Sequence, residues 1–463
     1  MSFASQRRRA VALLIVACSA SLGSQSRPRD RVGDAGVHAF TLDSVLARVA
    51  IFHPLSAAAA DRVDAALGSR TTARALGNPT LSWQEENGAL PGGSAPPGMT
   101  REISTFAMIP LAPIYQRSAR ARQADRLVDA ANGELGATRQ RVALDAARAF
   151  YRLAMAQTSL RTSSDSRDWL DSLVRYTQLR VREGAVAEVD LMRTQVERDR
   201  TAGDLALTQI EAARANAALT AYVAVDSIIA TVADTGARLA PLPPLEQVMA
   251  AARRLRPDLV AARARSEAAQ AARSLEQASI MREASGMVGS KSMGGVQSFI
   301  AGITIPIPFF DPNRGEIRRA AAVSRAVAQE SAWMESQAIA DVASAWETAR
   351  ILSEQIVRLQ QGFLRRAEDA RRITVAAYRE GAVPLVQVLD ASRALADVRD
   401  LYYRTLFAQQ LSILELNAAI GATELATMPT IASIPTNSTS NAIPNPKRTP
   451  MRGTTQPNRE EFR

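Results

Sequence analysis

Two histidines, His38 and His53, and one cysteine, Cys18, are all that this 463-residue chain offers for soft-metal ligation or for thiol or imidazole catalysis. All three fall within the first 53 residues, and no Cys/His spacing builds a zinc or iron–sulfur site. A nucleophilic triad lacks its usual base. No Gly-rich phosphate loop stands out, and no motif points to catalysis by paired carboxylates. The expectation is therefore a protein that is not an enzyme, with no cofactor and no metal site. The net charge of +10 could suggest nucleic acid or an anionic surface. Its arginines, however, spread along helical faces without clustering among aromatics, so no nucleic-acid partner is expected.

What recurs is a charged turn. Arg182-Glu183-Gly184-Ala185-Val186 returns as Arg379-Glu380-Gly381-Ala382-Val383, 197 residues later. The flanks line up as well, Asp145–Phe150 with Asp341–Trp346 and Asn216–Leu219 with Asn417–Ile420. The chain is two copies of one unit of about 200 residues, and that duplication decides the architecture.

Proline marks out the elements that carry the turn. None occurs between Pro113 and Pro241, or between Pro312 and Pro384, and interior proline breaks helices. Gln116–Glu183 can thus form one helix of roughly 100 Å at 1.5 Å per residue, and Arg314–Glu380 a second of nearly equal length. Returning helices follow at Val186–Ala224 and Pro384–Ala422. Shorter helical stretches, Leu42–Leu76 and Leu245–Arg282, open the two units, and two short helices end to end would match one long one. Val388, Ala391, Leu395, Val398 and Tyr402 keep the a/d spacing of packed helices. Elsewhere the apolar stripe is Ala-rich, which suits staves of a larger assembly.

Between the short and long helices the pattern changes to alternation. Asn78–Glu86 and Arg101–Ala112 flank a Gly/Pro loop in the first unit; Glu283–Met293 and Gln297–Phe309 flank Gly294-Gly295 in the second. Phe299, Ala301, Ile303, Ile305 and Ile307 share one face. Each unit supplies a hairpin with strands of about ten residues, the length that spans a tilted bilayer strand. Four strands cannot close a barrel alone, and open edges are not tolerated in lipid. Several chains must pool them, and three would supply twelve strands.

Residues 1–22 read as a secretory leader, with Arg7–Arg9 ahead of the apolar run Val11–Ala17. Ile15-Val16-Ala17-Cys18 resembles a lipobox, which makes Cys18 the lipidation candidate. The remaining boundaries are a first repeat over 40–222, a link over 223–244, a second repeat over 245–424, and a Pro/Asn/Thr-rich tail over 425–463, read as disordered. The fold class is mainly α with a small β part.

Taken together, the chain resembles the TolC-like outer-membrane efflux proteins over about residues 40–424. Arg256-Pro257-Asp258-Leu259 is similar to that family's opening of the second unit, with His53-Pro54-Leu55 at the equivalent place in the first and Gly77-Asn78-Pro79 opening the first strand. Ile305–Phe310 followed by Arg314-Gly315 resembles the heavy-metal-efflux branch. The resemblance implies a homotrimer whose twelve-stranded barrel sits in outer-membrane lipid above a helical tunnel in the periplasm. It also implies a periplasmic adaptor (membrane fusion protein) and an inner-membrane pump of the resistance-nodulation-division class as partners.

By the same resemblance the repeated turn is the periplasmic tip. Arg182, Gly184, Val186, Arg379, Gly381 and Val383 become adaptor-contact candidates, and Asp190, Tyr378, Gln387 and Asp390 gate candidates. Gln387 stands where a second ring aspartate is often found, and Val383 where a gating arginine can occur. The alternative from another class is a secreted periplasmic coiled-coil structural or adaptor protein.

Overall fold

Proline and glycine set the breaks between the elements. The computed structural model describes residues 37–88, 98–223, 227–230, 241–279 and 284–421. In chain order the first repeat holds β1 (Val37–Phe40), α1 (Leu42–Phe52), α2 (Pro54–Arg74), β2 (Thr80–Glu86), β3 (Glu102–Pro110), a one-turn helix α3 (Ala112–Tyr115), α4 (Arg117–Arg182) and α5 (Glu188–Val223). After β4 (Ser227–Ala230) come α6 (Leu245–Leu255), α7 (Pro257–Ala278), β5 (Ser285–Met293), β6 (Val296–Thr304) and α8 (Arg314–Arg358). A π-helical turn (Leu359–Phe363), α9 (Leu364–Arg379) and α10 (Leu385–Ile420) complete it. The leader with Cys18, most of the loop between Gly88 and Gly98, and the 425–463 tail lie outside the described residues.

The long helix of the first repeat is 66 residues and unbroken, matching the proline gap. Each opening stretch, read from sequence as one helical run, is instead two helices. The breaks fall at His53-Pro54 and Arg256-Pro257, where the pre-proline residue is pushed out of the helical region; ψ is 127° at His53 and 120° at Arg256. His53 serves as a cap, its Nδ1 accepting from Leu55 N at 3.3 Å. Arg256 is held at both ends: it meets Asp258 at 2.7 Å and Asp341 at 3.3 Å, tying the start of α7 to α8. The Arg-Pro-Asp motif is thus a structural corner.

The second long helix departs from expectation. Phe150 and Arg182 are 32 residues apart, but their counterparts Trp346 and Arg379 are 33 apart. The extra residue is absorbed by the π turn at Leu359–Phe363, where Gly362 leaves helical geometry at φ 159° and ψ −6°. One inserted residue widening a single turn is the usual origin of a π bulge.

Four strands form one antiparallel sheet in the order β2-β3-β5-β6, so the hairpins of the two repeats join through β3 and β5. Trp83 pairs Thr105, Ala107 pairs Val288, and Val288 pairs Ala301. One face therefore carries Leu81, Trp83, Val288, Phe299 and Ile303, all exposed. The other face is mixed, with Gln84, Ser104, Lys291 and Ser298 beside Phe106, Met287 and Ile300, and Lys291 is ion-paired to Glu102. The last strand stops at Thr304, short of the expected Phe309, because Pro306 and Pro308 have no N–H for a ladder. Both outer strands, β2 and β6, keep an unpaired edge.

A second, two-stranded sheet was not anticipated. β1 pairs parallel with β4, Val37 opposite Ser227, inside the segment read as a plain link between repeats.

The helices bury small side chains. α4 packs on α2, α5, α7 and α10, and much of its buried surface is alanine, including Ala146, Ala147 and Ala154. Where it crosses α7 the backbones nearly touch: a Cβ on Gly133 would stand 2.7 Å from Ala261 N. Larger groups concentrate in one cluster around Val45, Val49, Phe150, Leu153 and Leu219, and in a second around Val248, Val342, Leu416 and Ile420.

Candidate functional site

The end of the molecule away from the sheet is built from two matched turns. In the first, Gly184 N donates to Val181 O and Ala185 N to Arg180 O, at 3.0 and 2.8 Å. In the second, Gly381 N donates to Tyr378 O and Ala382 N to Ala377 O, at 3.1 and 2.9 Å. This paired pattern is the Schellman cap, which requires a left-handed residue after the helix. Gly184 has φ 69° and Gly381 φ 78°, so glycine is needed for its backbone freedom. No neighbour lies within 4 Å of a Cβ built on either. The turns project into open space.

Around them the candidate residues sort by burial. Arg182 and Arg379 are exposed, whereas Val186 and Val383 are half-buried. The two turns lie side by side because Leu170 and Leu173 of α4 pack with Tyr378, Leu385, Val388 and Leu389, and Val383 covers the edge of that cluster. The six contact candidates therefore gather on one surface.

Tyr378 is the anchor of this cluster. It is 5% exposed, and its ring meets Tyr176 edge-on, with centroids 6.2 Å apart. The Arg180 guanidinium lies 5.9 Å from both ring centres, a shared cation–π contact. Burial pushes the Tyr378 phenol above its ordinary pKa, and the nearby Asp190 charge adds to this, against Thr177 and Arg180, which lower it. The hydroxyl lies beside Thr177 without a well-formed hydrogen bond. Asp190 does not bond to Tyr378; it faces Arg193 at 3.8 Å.

Gln387 and Asp390 are exposed on α10, and Asp390 lies 3.5 Å from Arg393. Sequence reasoning passed over Arg393 and its stronger partner Glu197. Arg393 Nε reaches Glu197 Oε1 at 2.8 Å, and its Nη2 reaches the other oxygen, a bidentate pair. Glu197 is 8% exposed, and its carboxyl pKa is lowered, chiefly by the hydrogen bonds from Arg393. A signal existed: Asp190, Thr194, Glu197, Thr201, Asp204 and Thr208 recur at helical spacing on α5, a polar stripe where an apolar one is usual.

The geometry is thus two tandem hairpins of long helices joined by one sheet to which both repeats contribute. Residues 248–422, which make up nearly all of the second repeat, match the family model for outer membrane efflux proteins. The chain is 24% identical to the cobalt-zinc-cadmium resistance protein CzcC of Cupriavidus metallidurans over 377 residues, covering 81% of this chain and 87% of that one. Its fold superposes on the solved CusC channel with a TM-score of 0.68 at 19% identity, covering 82% of this chain and 92% of that one. The outer membrane protein VceC of Vibrio cholerae superposes with a TM-score of 0.67 at 19% identity, covering 82% and 96%. The resemblance to the outer-membrane efflux proteins, with a cobalt-zinc-cadmium resistance protein among the relatives, therefore holds.

Proposed function

We propose that this chain is the outer-membrane subunit of a tripartite efflux system, a passive exit duct. The observation that carries this reading is the sheet: four strands, two unpaired edges, and one exposed apolar face. A lone sheet of this kind is an aggregation hazard in water and untenable in lipid. Three copies joined edge to edge give twelve strands with the apolar face outward, and the long helices continue as a tunnel. A purely coiled-coil periplasmic protein has no use for such a sheet.

In this reading the tip surface of Arg182, Gly184, Val186, Arg379, Gly381 and Val383 meets a periplasmic adaptor, and Asp190, Tyr378, Gln387 and Asp390 border the tunnel mouth. Energy comes from an inner-membrane pump of the resistance-nodulation-division class. Likeness to a cobalt-zinc-cadmium resistance protein favours divalent metal ions as cargo over larger organic compounds. Cys18 is the proposed lipid attachment point, with repeats over 40–222 and 245–424 joined by 223–244.

Fractionation tests the core of the proposal. The full-length protein should partition with outer membranes and run as a trimer in SDS until boiled. Recovery as a soluble periplasmic protein would overturn the channel and favour the coiled-coil alternative.

A further inference from the structure

The sheet ends on the helix side in a single row, with Pro110 opposite Ser285 and Ser285 opposite Thr304. The long helices of both repeats begin just past this row, α4 at Arg117 and α8 at Arg314. Between row and helix stand Ile114 and Tyr115 in the first repeat and Ile307, Phe309 and Phe310 in the second, all exposed, Phe310 to 96%. Arginines follow. Arg117 and Arg122 on α4 and Arg314 and Arg318 on α8 are exposed, and among the described residues none of the four has an ion-pair or side-chain hydrogen-bond partner. The carboxylates nearby are already engaged. Asp125 meets Arg70 and Arg74, and Glu316 meets Arg319. Asp311 accepts from Asn313 N at 2.9 Å, and Glu276 from Asn313 Nδ2 at 3.1 Å. The first turn of a helix favours acidic side chains, yet α4 has none there. Its arginines stand against the helix dipole, a cost that an anionic partner offsets.

We propose that Arg117, Arg122, Arg314 and Arg318 form a collar that binds the phosphates of anionic phospholipid in the leaflet on the helix side of the membrane, an inference that rests on the channel reading. Strand length sets the depth. β5 and β6 have nine residues each, about 30 Å at 3.4 Å per residue and less when tilted. The hydrocarbon layer takes about 30 Å, so crossing it uses up the strands. The residues just past the row then lie among the headgroups. Aromatic rings followed by arginines, in that order away from the hydrocarbon, suit this layer, and the guanidinium fork matches phosphate. Arg122 and Arg318 hold the same place in the two repeats, 196 residues apart like Asp145 and Asp341. The collar therefore recurs around the barrel and is not a single patch. At the far end of the sheet the balance reverses, with Glu85, Glu86 and Glu102 against Arg101 and Lys291. The attraction is confined to one leaflet.

Binding of fluorescent short-chain phosphatidylglycerol to the full-length protein in detergent, followed by anisotropy, tests this, with phosphatidylcholine of the same chains as the neutral reference. Wild type should prefer phosphatidylglycerol about tenfold or more, and 0.5 M salt should abolish the preference by screening. Arg117→Gln and Arg314→Gln should each weaken phosphatidylglycerol binding about fivefold and leave phosphatidylcholine binding unchanged. Arg314→Lys should keep most of the preference, and Arg139→Gln, lower on α4, should keep all of it. Equal binding of the two lipids by wild type, or a preference that survives loss of all four arginines, overturns the collar. So does loss of the heat-resistant trimer in Arg117→Gln and Arg314→Gln, which would assign these side chains to a seam between copies. A wild type found in outer membranes without the preference overturns the collar alone; a soluble wild type overturns the channel reading with it.

Discussion

Tyr176 and Tyr378, one from each repeat's long helix, meet edge to face at 6.2 Å and 71°. Their contact joins the two tip turns into one surface. Tyr378→Ala should cost about 3 kcal/mol, in the range of large-to-small aromatic losses, and lower the thermal midpoint of the trimer. Tyr378→Phe should change stability by less than about 1 kcal/mol, since the hydroxyl has no well-formed bond to lose. Calorimetry on detergent-solubilised trimer separates the two.

Gly184→Ala and Gly381→Ala should each destabilise their turn by about 1–2 kcal/mol, the cost of a left-handed residue bearing a Cβ. Asparagine, which tolerates that region, should cost less at both. Since a Cβ at either position would touch nothing within the chain, any further loss of adaptor capture by the asparagine variants reports contact at the tip. Pull-down with the purified adaptor measures it.

Acid should loosen the pair of returning helices in a defined direction. The pKa of Glu197 is lowered from the usual 4.5 by the bonds from Arg393. Its stabilisation is fully present above that ordinary value and disappears as pH falls through the lowered folded value. The pair's contribution to the thermal midpoint should therefore be flat from neutral pH down to about 5 and be lost only below the usual carboxylate range. In Glu197→Gln that acid limb should vanish.

Deleting Gly362 should restore an unbroken helix between α8 and α9. Because the π turn absorbs that one extra residue, Tyr378 and its neighbours keep their phase on the shortened helix. Heat-resistant trimer and adaptor capture should survive the deletion. Their loss would mean that the π turn itself sets the position of the tip.

Ile303→Arg places a charge on the apolar face of the sheet. For a strand near the bilayer midplane that costs about 2–4 kcal/mol, and the variant should be depleted from outer-membrane fractions. Gln84→Arg, on the opposite face, should insert normally.

Much of this molecule is legible in its sequence because punctuation residues carry it. The proline gap from Pro113 to Pro241 foretells α4, the repeated Arg-Glu-Gly-Ala-Val the two caps, and Gly294-Gly295 the turn between β5 and β6. Local sterics reach further than was read: His53 and Arg256 precede proline, so each opening stretch had to break there. The π turn was also written in plain spacing, as one residue more between Trp346 and Arg379 than between Phe150 and Arg182. Glu197 and Arg393 are a different matter. Nothing local says which faces of α5 and α10 oppose each other across α4, and a pair so distant in sequence becomes visible only once the helices are placed.

The parallel pairing of Val37 with Ser227 has a temporal side. Synthesis runs from the N-terminus, so β1 exists 190 residues before the strand that completes it. Until then its backbone donors and acceptors have no partner in that pair, and closing so long a loop is slow. The first repeat thus cannot complete this pair until the link beyond α5 has been made, when about half of the chain exists.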